Sequence, residues 1–436
     1  MFLIGDLAKS FYIGNTFLLK GITMMSAISK RMLSRSFSEI NFEFKTLNWL
    51  YSGVKSSGFG LYIHVPFCRM FCSFCPFYKV LYDEKLKVKY LEAMKSEVKM
   101  RGLRGNASWL YIGGGTPNLL KADEICELLS HLREFVEVDE AGMEGNPFEF
   151  TPEYLEKIAD AGITKISMGV ETFQLDTLKA VKRAKANERL IEKVVCEAQK
   201  LGITVNVDLM VGLPRQTSEG CLKDAETIVS IGPDQVTLYP YLIIPGVMAD
   251  PGMSSQSMFS VIESAWNIFR EYGYRRDSIW VFSKSQRIYD SAKDELVCDY
   301  FGLGPAAFST CGNVQIVNPP IEIYLQMIKN KKRLVFYTEL DEKARVWRAF
   351  AHELYKLHLD PKVCSELPLS IKMVLQILRT MGYVKGFTVT DKGRYLVHEI
   401  TKTVVETLPF PLSNPRRIKN YDEYMESLKK VNTLNI

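Results

Sequence analysis

Short apolar runs alternate with longer amphipathic stretches between Leu61 and about residue 241. The runs have the length and the β-branched and aromatic content of strands, and the stretches between them carry apolar positions at helical spacing. The pattern predicts β-α units that follow one another, which is typical of a parallel sheet. The predicted strands are LYIHV (61–65), WLYIG (109–113), GMEG (142–145), KISMGV (165–170), TVNVDLMVG (204–212) and QVTLYPY (235–241).

The amphipathic stretches between these strands predict helices, and several of them end at a Gly suited to a helix C-cap. The predicted helices are EKLKVKYLEAMKSEVKM, DEICELLSHLREF, PEYLEKIADAG, NERLIEKVVCEAQKLG and LKDAETIVSIG. Six units of this kind indicate an α/β fold, an open, partial (β/α)6 TIM-like barrel. Reactive groups are then expected at the carboxyl ends of the strands, where the loops converge.

The chain on either side of these units has a different pattern. Residues 1–58 carry no strong period and end in YSGVKSSGFG, so we expect an N-terminal extension that packs on or precedes a core domain at 59–310. Residues 311–436 are expected to form a small, mainly helical, winged-helix-like C-terminal domain. That domain has no basic recognition helix, so nucleic acid is not expected as a partner.

Composition narrows the class of protein. The chain is 47% hydrophobic and 24% charged with a formal charge of +5, as in ordinary globular proteins. The N-terminal apolar stretch is interrupted by Asp6, Lys9 and Lys20, so it predicts no transmembrane segment. It has no small-residue cleavage site after one apolar run, so we expect a cytoplasmic protein. Met24, Met25 or Met32 are alternative starts of the chain.

The chain has nine cysteines, and Cys68, Cys72 and Cys75 lie within eight residues of one another. A C-x3-C-x2-C spacing suits a cubane iron-sulfur cluster whose fourth iron has no protein ligand. A zinc site and buried thiols are the alternatives, although zinc usually takes four closed ligands and only His64 lies nearby. His64 itself is interpreted either as a hydrogen-bond donor beside a cluster or as a buried histidine with ordinary partners.

The segment YIHVPFCRMFCSFCPFY resembles the cluster motif of the radical S-adenosylmethionine (SAM) superfamily, in its oxygen-independent coproporphyrinogen oxidase-like (HemN-like) branch. The resemblance continues in the order of the family through IGGGTPNLL, EGNP, SMGVETF, AVKRA, NVDLMVGLPRQT, LYPYLIIPG and YFGLGPAAFS, from about Leu61 to Ser309. It implies a 4Fe-4S cluster on Cys68, Cys72 and Cys75 that reductively cleaves SAM to a 5′-deoxyadenosyl radical.

The resemblance also implies which residues contact SAM. One SAM is expected, and a second is left open. No side chain is assigned a catalytic role. The implied SAM contacts are Tyr62, Phe74, Gly113, Gly114, Gly115, Thr116, Glu144, Glu171, Arg183, Asp208 and Leu242. The similar proteins usually carry Gln where this chain has Glu171, which adds a charge that Arg183 is expected to neutralise.

Departures from the family's sequence pattern help to choose among three functions. Phe77 stands where coproporphyrinogen oxidases usually have a fourth Cys, and TCGNVQIVNPPIEIYL lacks the H-N-x-x-Y-W string of the haem chaperones. These absences favour methyl transfer to an unsaturated carbon of a planar quinone or tetrapyrrole. The alternatives are oxidative decarboxylation of coproporphyrinogen III and haem carriage without catalysis. The expected partners are a small planar substrate and an electron donor such as flavodoxin or ferredoxin.

Overall fold

The fold is described from a computed structural model. The structure describes residues 42–47, 58–184, 187–244, 251–284, 299–407, 418–419 and 421–432.

The strands are Phe42–Leu47 (β1), Phe59–Val65 (β2), Phe67–Cys68 (β3), Val80–Leu81 (β4), Gly105–Gly114 (β5), Val136–Val138 (β6), Ala141–Gly145 (β7), Lys165–Glu171 (β8), Thr204–Val211 (β9), Gln235–Pro240 (β10), Arg275–Arg276 (β11), Val281–Ser283 (β12), Tyr300–Leu303 (β13), Phe308–Cys311 (β14), Val314–Val317 (β15), Arg333–Glu339 (β16), Val384–Lys385 (β17), Thr388–Val389 (β18) and Ile418–Lys419 (β19). The helices are Glu84–Arg101 (α1), Ala122–Arg133 (α2), Pro152–Asp160 (α3), Leu175–Ala180 (α4), Glu188–Lys200 (α5), Ser218–Ile231 (α6), Ser255–Glu271 (α7), Ile321–Lys329 (α8), Glu342–Tyr355 (α9), Pro361–Glu366 (α10), Leu369–Thr380 (α11), Asp391–Thr407 (α12) and Tyr421–Asn432 (α13), with short 3-10 helices at Pro117–Leu119 and Pro147–Glu149.

Six parallel strands form the centre of one mixed sheet, in the order β2, β5, β7, β8, β9 and β10. They coincide with the six strands predicted from the apolar runs, and a helix follows β5, β7, β8, β9 and β10. The predicted α/β class is confirmed. In the described residues the order of strands is an open path, which does not close on itself.

Local sequence explains where the helices begin and end. The side chain of Asp83 accepts a hydrogen bond from the Leu86 amide at the start of α1, and Thr217 does the same for Gly220 at the start of α6. Both helices end at a glycine with left-handed backbone, Gly102 and Gly232. These caps satisfy amides and carbonyls that a helix end leaves unpaired, so each helix stops where the next strand must start.

The sheet continues beyond the six strands predicted from the apolar runs. Strand β13 pairs in parallel with β2, and β14, β15, β16 and β1 follow it in antiparallel pairs. A cluster of buried side chains from β1, β15, β16 and α8 forms the core there: Phe42, Phe44, Val317, Ile323 and Phe336. Strand β1, from the N-terminal region expected to pack on or precede the core, therefore pairs with the sheet.

A buried ion pair joins α1 to the segment after β13. Glu97 and Arg101 lie one helical turn apart with 2.9 Å between the carboxylate and the guanidinium, and both side chains are buried. Arg101 also donates to the Gly302 carbonyl at 2.7 Å, and Glu97 accepts from the Gly304 amide at 2.8 Å. The Tyr324 hydroxyl of α8 donates to Glu97 at 2.8 Å. These bonds hold Gly302 and Gly304 against α1.

The chain divides into two compact units, and the described part of one is 342–407. In its described residues that unit has three helices, a two-stranded hairpin and a fourth helix, and its likeness to a winged helix stays a prediction. The other unit contains the large sheet and its helices. The domain boundaries expected at residues 58 and 310 stay predictions. Among the described helices, none is long and apolar enough to span a membrane.

Candidate functional site

The three clustered cysteines lie in a closed loop at the carboxyl end of β2. Cys68 is the last residue of β3, which pairs in parallel with β4, so residues 67 and 68 lie beside residues 80 and 81. The Val80 amide donates to the Pro66 carbonyl at 2.8 Å, and the Tyr82 amide donates to the Cys68 carbonyl at 2.9 Å. The backbone thus closes the loop at its base, with Cys72 and Cys75 between the two ends. We call residues 68–79 the cysteine loop.

The cysteine loop is also held from inside and from a neighbouring element. The Lys79 ammonium donates to the carbonyls of Cys75 at 2.7 Å and of Phe77 at 3.1 Å. The Cys75 amide donates to the Cys72 carbonyl, and the Ser73 amide donates to the Val181 carbonyl just after α4. Sequence reasoning missed the role of Lys79. The position of a lysine four residues after Cys75 could have indicated a side chain that contacts this loop.

Each of two thiols has a polar neighbour. The Cys68 thiol lies 3.6 Å from the Thr116 hydroxyl, and the Cys72 thiol accepts from Nη1 of Arg183 at 3.5 Å. Burial raises the pKa of Cys68 to about 11, and it also raises the pKa of Cys75. Buried thiols of this kind remain protonated at neutral pH unless a metal or cation favours the thiolate.

The zinc alternative finds no support in this geometry. Among the described residues, no three His, Cys, Asp or Glu side chains converge on a point that would hold a metal ion. His64 has a partner on each ring nitrogen, the Tyr62 hydroxyl at 3.0 Å from Nδ1 and the Tyr78 carbonyl at 3.0 Å from Nε2. Burial lowers its pKa to about 4, so His64 is a neutral, satisfied histidine. A cubane is different from zinc, because each thiolate binds a separate iron and the thiols need not converge.

The three glycines at the end of β5 closely approach β2 and the residues that lead into the cysteine loop. A Cβ on Gly115 would lie 2.6 Å from the Phe67 carbonyl oxygen, and one on Gly114 would lie 2.8 Å from the His64 ring. Gly114 also has a φ of 117°, which L residues avoid. The glycines therefore let the end of β5 pack closely against β2 and against Pro66 and Phe67.

The carboxyl group of Glu144, at the end of β7, is fixed by the same glycine turn. The Gly114 amide donates to Glu144 at 2.5 Å. Burial raises the pKa of Glu144 to about 8, although the Gly114 amide acts in the opposite direction. A carboxyl group with such a pKa holds its proton near neutral pH until a cation approaches it.

Glu171 and Arg183 form an ion pair beside the cysteine loop. The β8–β9 pairing shifts register between Gly169 and Glu171, and Glu171 has a φ of 68°, so the strand end is bent and its side chain re-aimed. Arg183 lies 3.4 Å from Glu171 and also donates to the Gly169 carbonyl and to Asn146. Burial raises the pKa of Glu171 to about 7, and Arg183 opposes that rise. The pairing predicted from the Glu171 departure is confirmed.

Asp208, in β9, is held by neighbouring polar side chains. Ser167 donates to its carboxylate at 2.6 Å and Asn206 at 2.8 Å. Thr237 of β10 donates to Asn206 at 3.0 Å and so fixes that amide. Burial raises the pKa of Asp208. The supporting residues Ser167, Asn206 and Thr237 were missed, because polar residues facing inward on a strand have no signature in a single sequence.

The structure brings most of the predicted SAM contacts to one edge of the sheet. Gly113 to Thr116, Glu144 and Glu171 lie at the carboxyl ends of β5, β7 and β8, and Asp208 lies near the end of β9. Phe74 is partly exposed within the cysteine loop, Leu242 is partly exposed after β10, and Tyr62 is joined to His64 within β2. Their contacts with SAM stay predictions.

Comparison with known proteins connects this geometry to a family. A family model described as the radical SAM superfamily matches residues 62–228. The oxygen-independent coproporphyrinogen III oxidase of Escherichia coli K12 is 27% identical over 395 residues, which cover 78% of this chain and 84% of that protein. The heme chaperone HemW of Bacillus subtilis is 25% identical over 295 residues, which cover 62% and 76%.

A solved structure shows the same fold. The structure titled as coproporphyrinogen III oxidase (HemN) from Escherichia coli, a radical SAM enzyme, superposes with a TM-score of 0.68 at 24% identity. The superposition covers 80% of this chain and 90% of that one. The matched family model includes the cysteine loop, the glycine turn and the three carboxylates described above.

Proposed function

Because the chain belongs to the radical SAM superfamily and to its HemN-like family, we propose that it is an enzyme that cleaves SAM at a 4Fe-4S cluster held by Cys68, Cys72 and Cys75. The observation that carries this proposal is the closed cysteine loop facing the glycine turn and three carboxyl groups at one edge of the sheet, of which Glu171 is buried and Glu144 and Asp208 are partly buried. When bound, the cluster and SAM supply the reducing electron and the 5′-deoxyadenosyl radical.

The chain's own residues are suited to bind and orient a ligand that carries an ammonium, a sulfonium and a carboxylate group. Glu144, Glu171 and Asp208 hold protons more tightly than ordinary carboxyl groups, because they are buried. A ligand ammonium or sulfonium would favour their ionised forms, so binding and proton release are coupled. Arg183 reaches both Cys72 and Glu171 and is placed to pair with a ligand carboxylate.

We propose a tetrapyrrole as the substrate. Large apolar side chains stay exposed just after three strand ends of the site: Phe148 after β7, Leu175 after β8 and Ile243 after β10. Phe71 and Phe77 are exposed on the cysteine loop itself. An apolar rim around polar, cofactor-binding groups suits a flat, largely apolar molecule. The relatives support this class, since they are named for coproporphyrinogen III and for heme.

Oxidative decarboxylation of coproporphyrinogen III is the reaction that the relatives support best. Methyl transfer, which the departures in the sequence favoured, finds no support in these comparisons, because the relatives are named as oxidases and chaperones. Phe77 in place of a fourth cysteine remains the departure that weighs against the oxidase. The number of SAM molecules, the identity of the electron donor and a cytoplasmic location stay predictions.

The test is an anaerobic assay of the reconstituted, reduced protein with SAM, coproporphyrinogen III and an electron acceptor. Conversion of a propionate to a vinyl group and CO2 is a two-electron oxidation, in which the 5′-deoxyadenosyl radical would remove one hydrogen atom and the acceptor would take the second electron. We expect 5′-deoxyadenosine together with CO2 and a vinyl product. S-adenosylhomocysteine with a methylated product would instead support methyl transfer. Tight heme binding with neither product would support carriage and overturn the catalytic proposal.

A further inference from the structure

The partly buried side chain of Lys79 donates hydrogen bonds to the backbone of the cysteine loop. Its ammonium donates to the carbonyls of Cys75 at 2.7 Å and of Phe77 at 3.1 Å, and it lies 5.8 Å from the centre of the Phe71 ring. Lysine side chains usually keep their charged end solvated. Here the ammonium instead links the carbonyls of Cys75 and Phe77, next to the last cysteine of the loop.

The charge of Lys79 is not neutralised within the described part of the chain, where no carboxylate lies within ion-pair distance of its ammonium. Arg69, at the other end of the same loop, contrasts with it, because Arg69 pairs with Glu149 at 3.1 Å and its side chain is 69% exposed. The Lys79 charge is half-buried, so its field is less screened by water than that of an exposed cation. This electric field acts on the loop that carries the three thiols.

We propose that Lys79 is a positioning residue of the cluster: it holds the loop carbonyls in place and sets a fixed positive charge beside the cluster, which eases its reduction. The inference rests on the proposed function, because it requires a cluster on Cys68, Cys72 and Cys75. Reduction adds negative charge to a cluster bound by anionic thiolates. A fixed cation and hydrogen bonds nearby stabilise the reduced form, and cluster potentials respond to such charges.

The experiment compares Lys79→Met and Lys79→Arg with the unaltered protein and with Lys85→Met. Lys85 is an exposed lysine at the start of α1, so it controls for the loss of a solvated charge. Each protein is reconstituted anaerobically, its iron and sulfide are counted, and the midpoint potential of the cluster is measured by an EPR-monitored redox titration without substrate. Catalytic activity is not the readout.

We expect Lys79→Met to reduce the equilibrium constant for one-electron reduction about tenfold, which corresponds to a potential lower by about 59 mV. Lys79→Arg should stay near the potential of the unaltered protein, since it keeps a cation, and Lys85→Met should match it. If Lys79→Met folds but takes up no cluster while Lys79→Arg loads normally, the holding role is supported.

Two outcomes overturn the inference. One is an intact cluster in Lys79→Met with an unchanged potential. The other is Lys79→Arg behaving like Lys79→Met, which would make the shape of lysine, and not its charge, the cause. Failure of the unaltered protein to bind any cluster is a separate result, because it contradicts the proposed function before Lys79 is tested.

Discussion

Arg183 connects the parts of the site that come from distant positions in the sequence. Its guanidinium contacts the thiol of Cys72, the carboxylate of Glu171 and the side chain of Asn146. A guanidinium has five N–H donors in one plane, so it can donate to several partners at once. An ammonium has three donors on a single nitrogen. Any ligand that binds between the cysteine loop and the carboxyl groups would therefore meet the guanidinium of Arg183, which these contacts hold in place.

Glu144 gives a prediction about pH. Burial raises its pKa to about 8 from an ordinary value of 4.5. The folded, ligand-free protein keeps this proton where the unfolded chain has lost it, so the free energy of unfolding falls as the pH rises from about 5 to 8. We expect Glu144→Gln to reduce that fall by about 2 kcal/mol between pH 6 and 8, since one pKa unit corresponds to about 1.4 kcal/mol.

Urea unfolding of the ligand-free protein at both pH values measures this effect. Glu192→Gln is the control, because Glu192 is exposed on α5. A pH dependence in Glu144→Gln equal to that of the unaltered protein would show that Glu144 ionises in the folded state like a solvated carboxyl group.

At the scale of residues, the sequence predicted those side chains whose chemistry is carried by a motif. The C-x3-C-x2-C spacing, the run of glycines and the charge at Glu171 were all visible before folding. Lys79, Ser167 and Asn206 were not, because their importance depends on which backbone carbonyl or carboxylate folding places beside them. Hydrogen-bond partners between different strands cannot be deduced from spacing along one chain.

The close packing of Gly115, after β5, against Pro66 and Phe67 at the start of the cysteine loop gives a prediction at the scale of elements. A Cβ at Gly115 would lie 2.6 Å and 2.8 Å from backbone atoms of Phe67 and Pro66, which cannot move as a side chain would. We expect Gly115→Ala to destabilise the protein by about 1–3 kcal/mol, as overpacking usually does, and to lower its iron content after reconstitution.

Gly273→Ala is the matched control. Gly273 has a φ of 81°, but no atom lies within 4 Å of the point that a Cβ would occupy, so its substitution costs conformational energy alone. It should destabilise by about 1 kcal/mol and leave the iron content unchanged. Normal iron content in Gly115→Ala would mean that the loop does not need this close approach.

The buried pair Glu97–Arg101 gives a second prediction about elements. It connects α1 with the turn after β13 and with α8, and both side chains are nearly inaccessible to water. Removal of one partner leaves a buried charge without compensation, which typically costs about 3–5 kcal/mol. Arg101→Met should therefore lower the free energy of unfolding by about that amount in urea titrations.

Lys99→Met on the same helix is its control, because Lys99 is exposed. The control should change stability by less than about 0.5 kcal/mol, as surface substitutions usually do. A loss below about 1 kcal/mol in Arg101→Met would show that the pair is solvated in solution.

The elements also show what patterns can predict. The six central strands and the helices between them have clear periods, and the structure confirms them. Strands β13 to β15 are only four residues long, and β1 pairs with β16 from far away in the sequence, with Glu43 opposite Tyr337. Short strands carry little alternation, and long-range pairing leaves no local signal, so the extension of the sheet was missed.

At the scale of the whole molecule, the sheet explains why so many functional groups meet. Parallel strands in one sheet place their carboxyl ends along one edge, and the chain puts cysteines, glycines and carboxyl groups after β2, β5, β7 and β8. Glu144 and Asp208 each accept a hydrogen bond from a neighbouring strand, from the Gly114 amide and the Ser167 hydroxyl. The fold thus holds a preorganised site whose parts come from more than a hundred residues of sequence.

The most direct test of the central claim is whether the protein cleaves SAM at a cluster on the cysteine loop. Anaerobically reconstituted, reduced protein is incubated with SAM, and 5′-deoxyadenosine is measured beside Cys68→Ala and the control Cys196→Ala, whose thiol is exposed on α5. We predict 5′-deoxyadenosine from the unaltered protein and from Cys196→Ala, and none from Cys68→Ala. Equal product from Cys68→Ala, or none from unaltered protein that carries a 4Fe-4S cluster, would contradict the account.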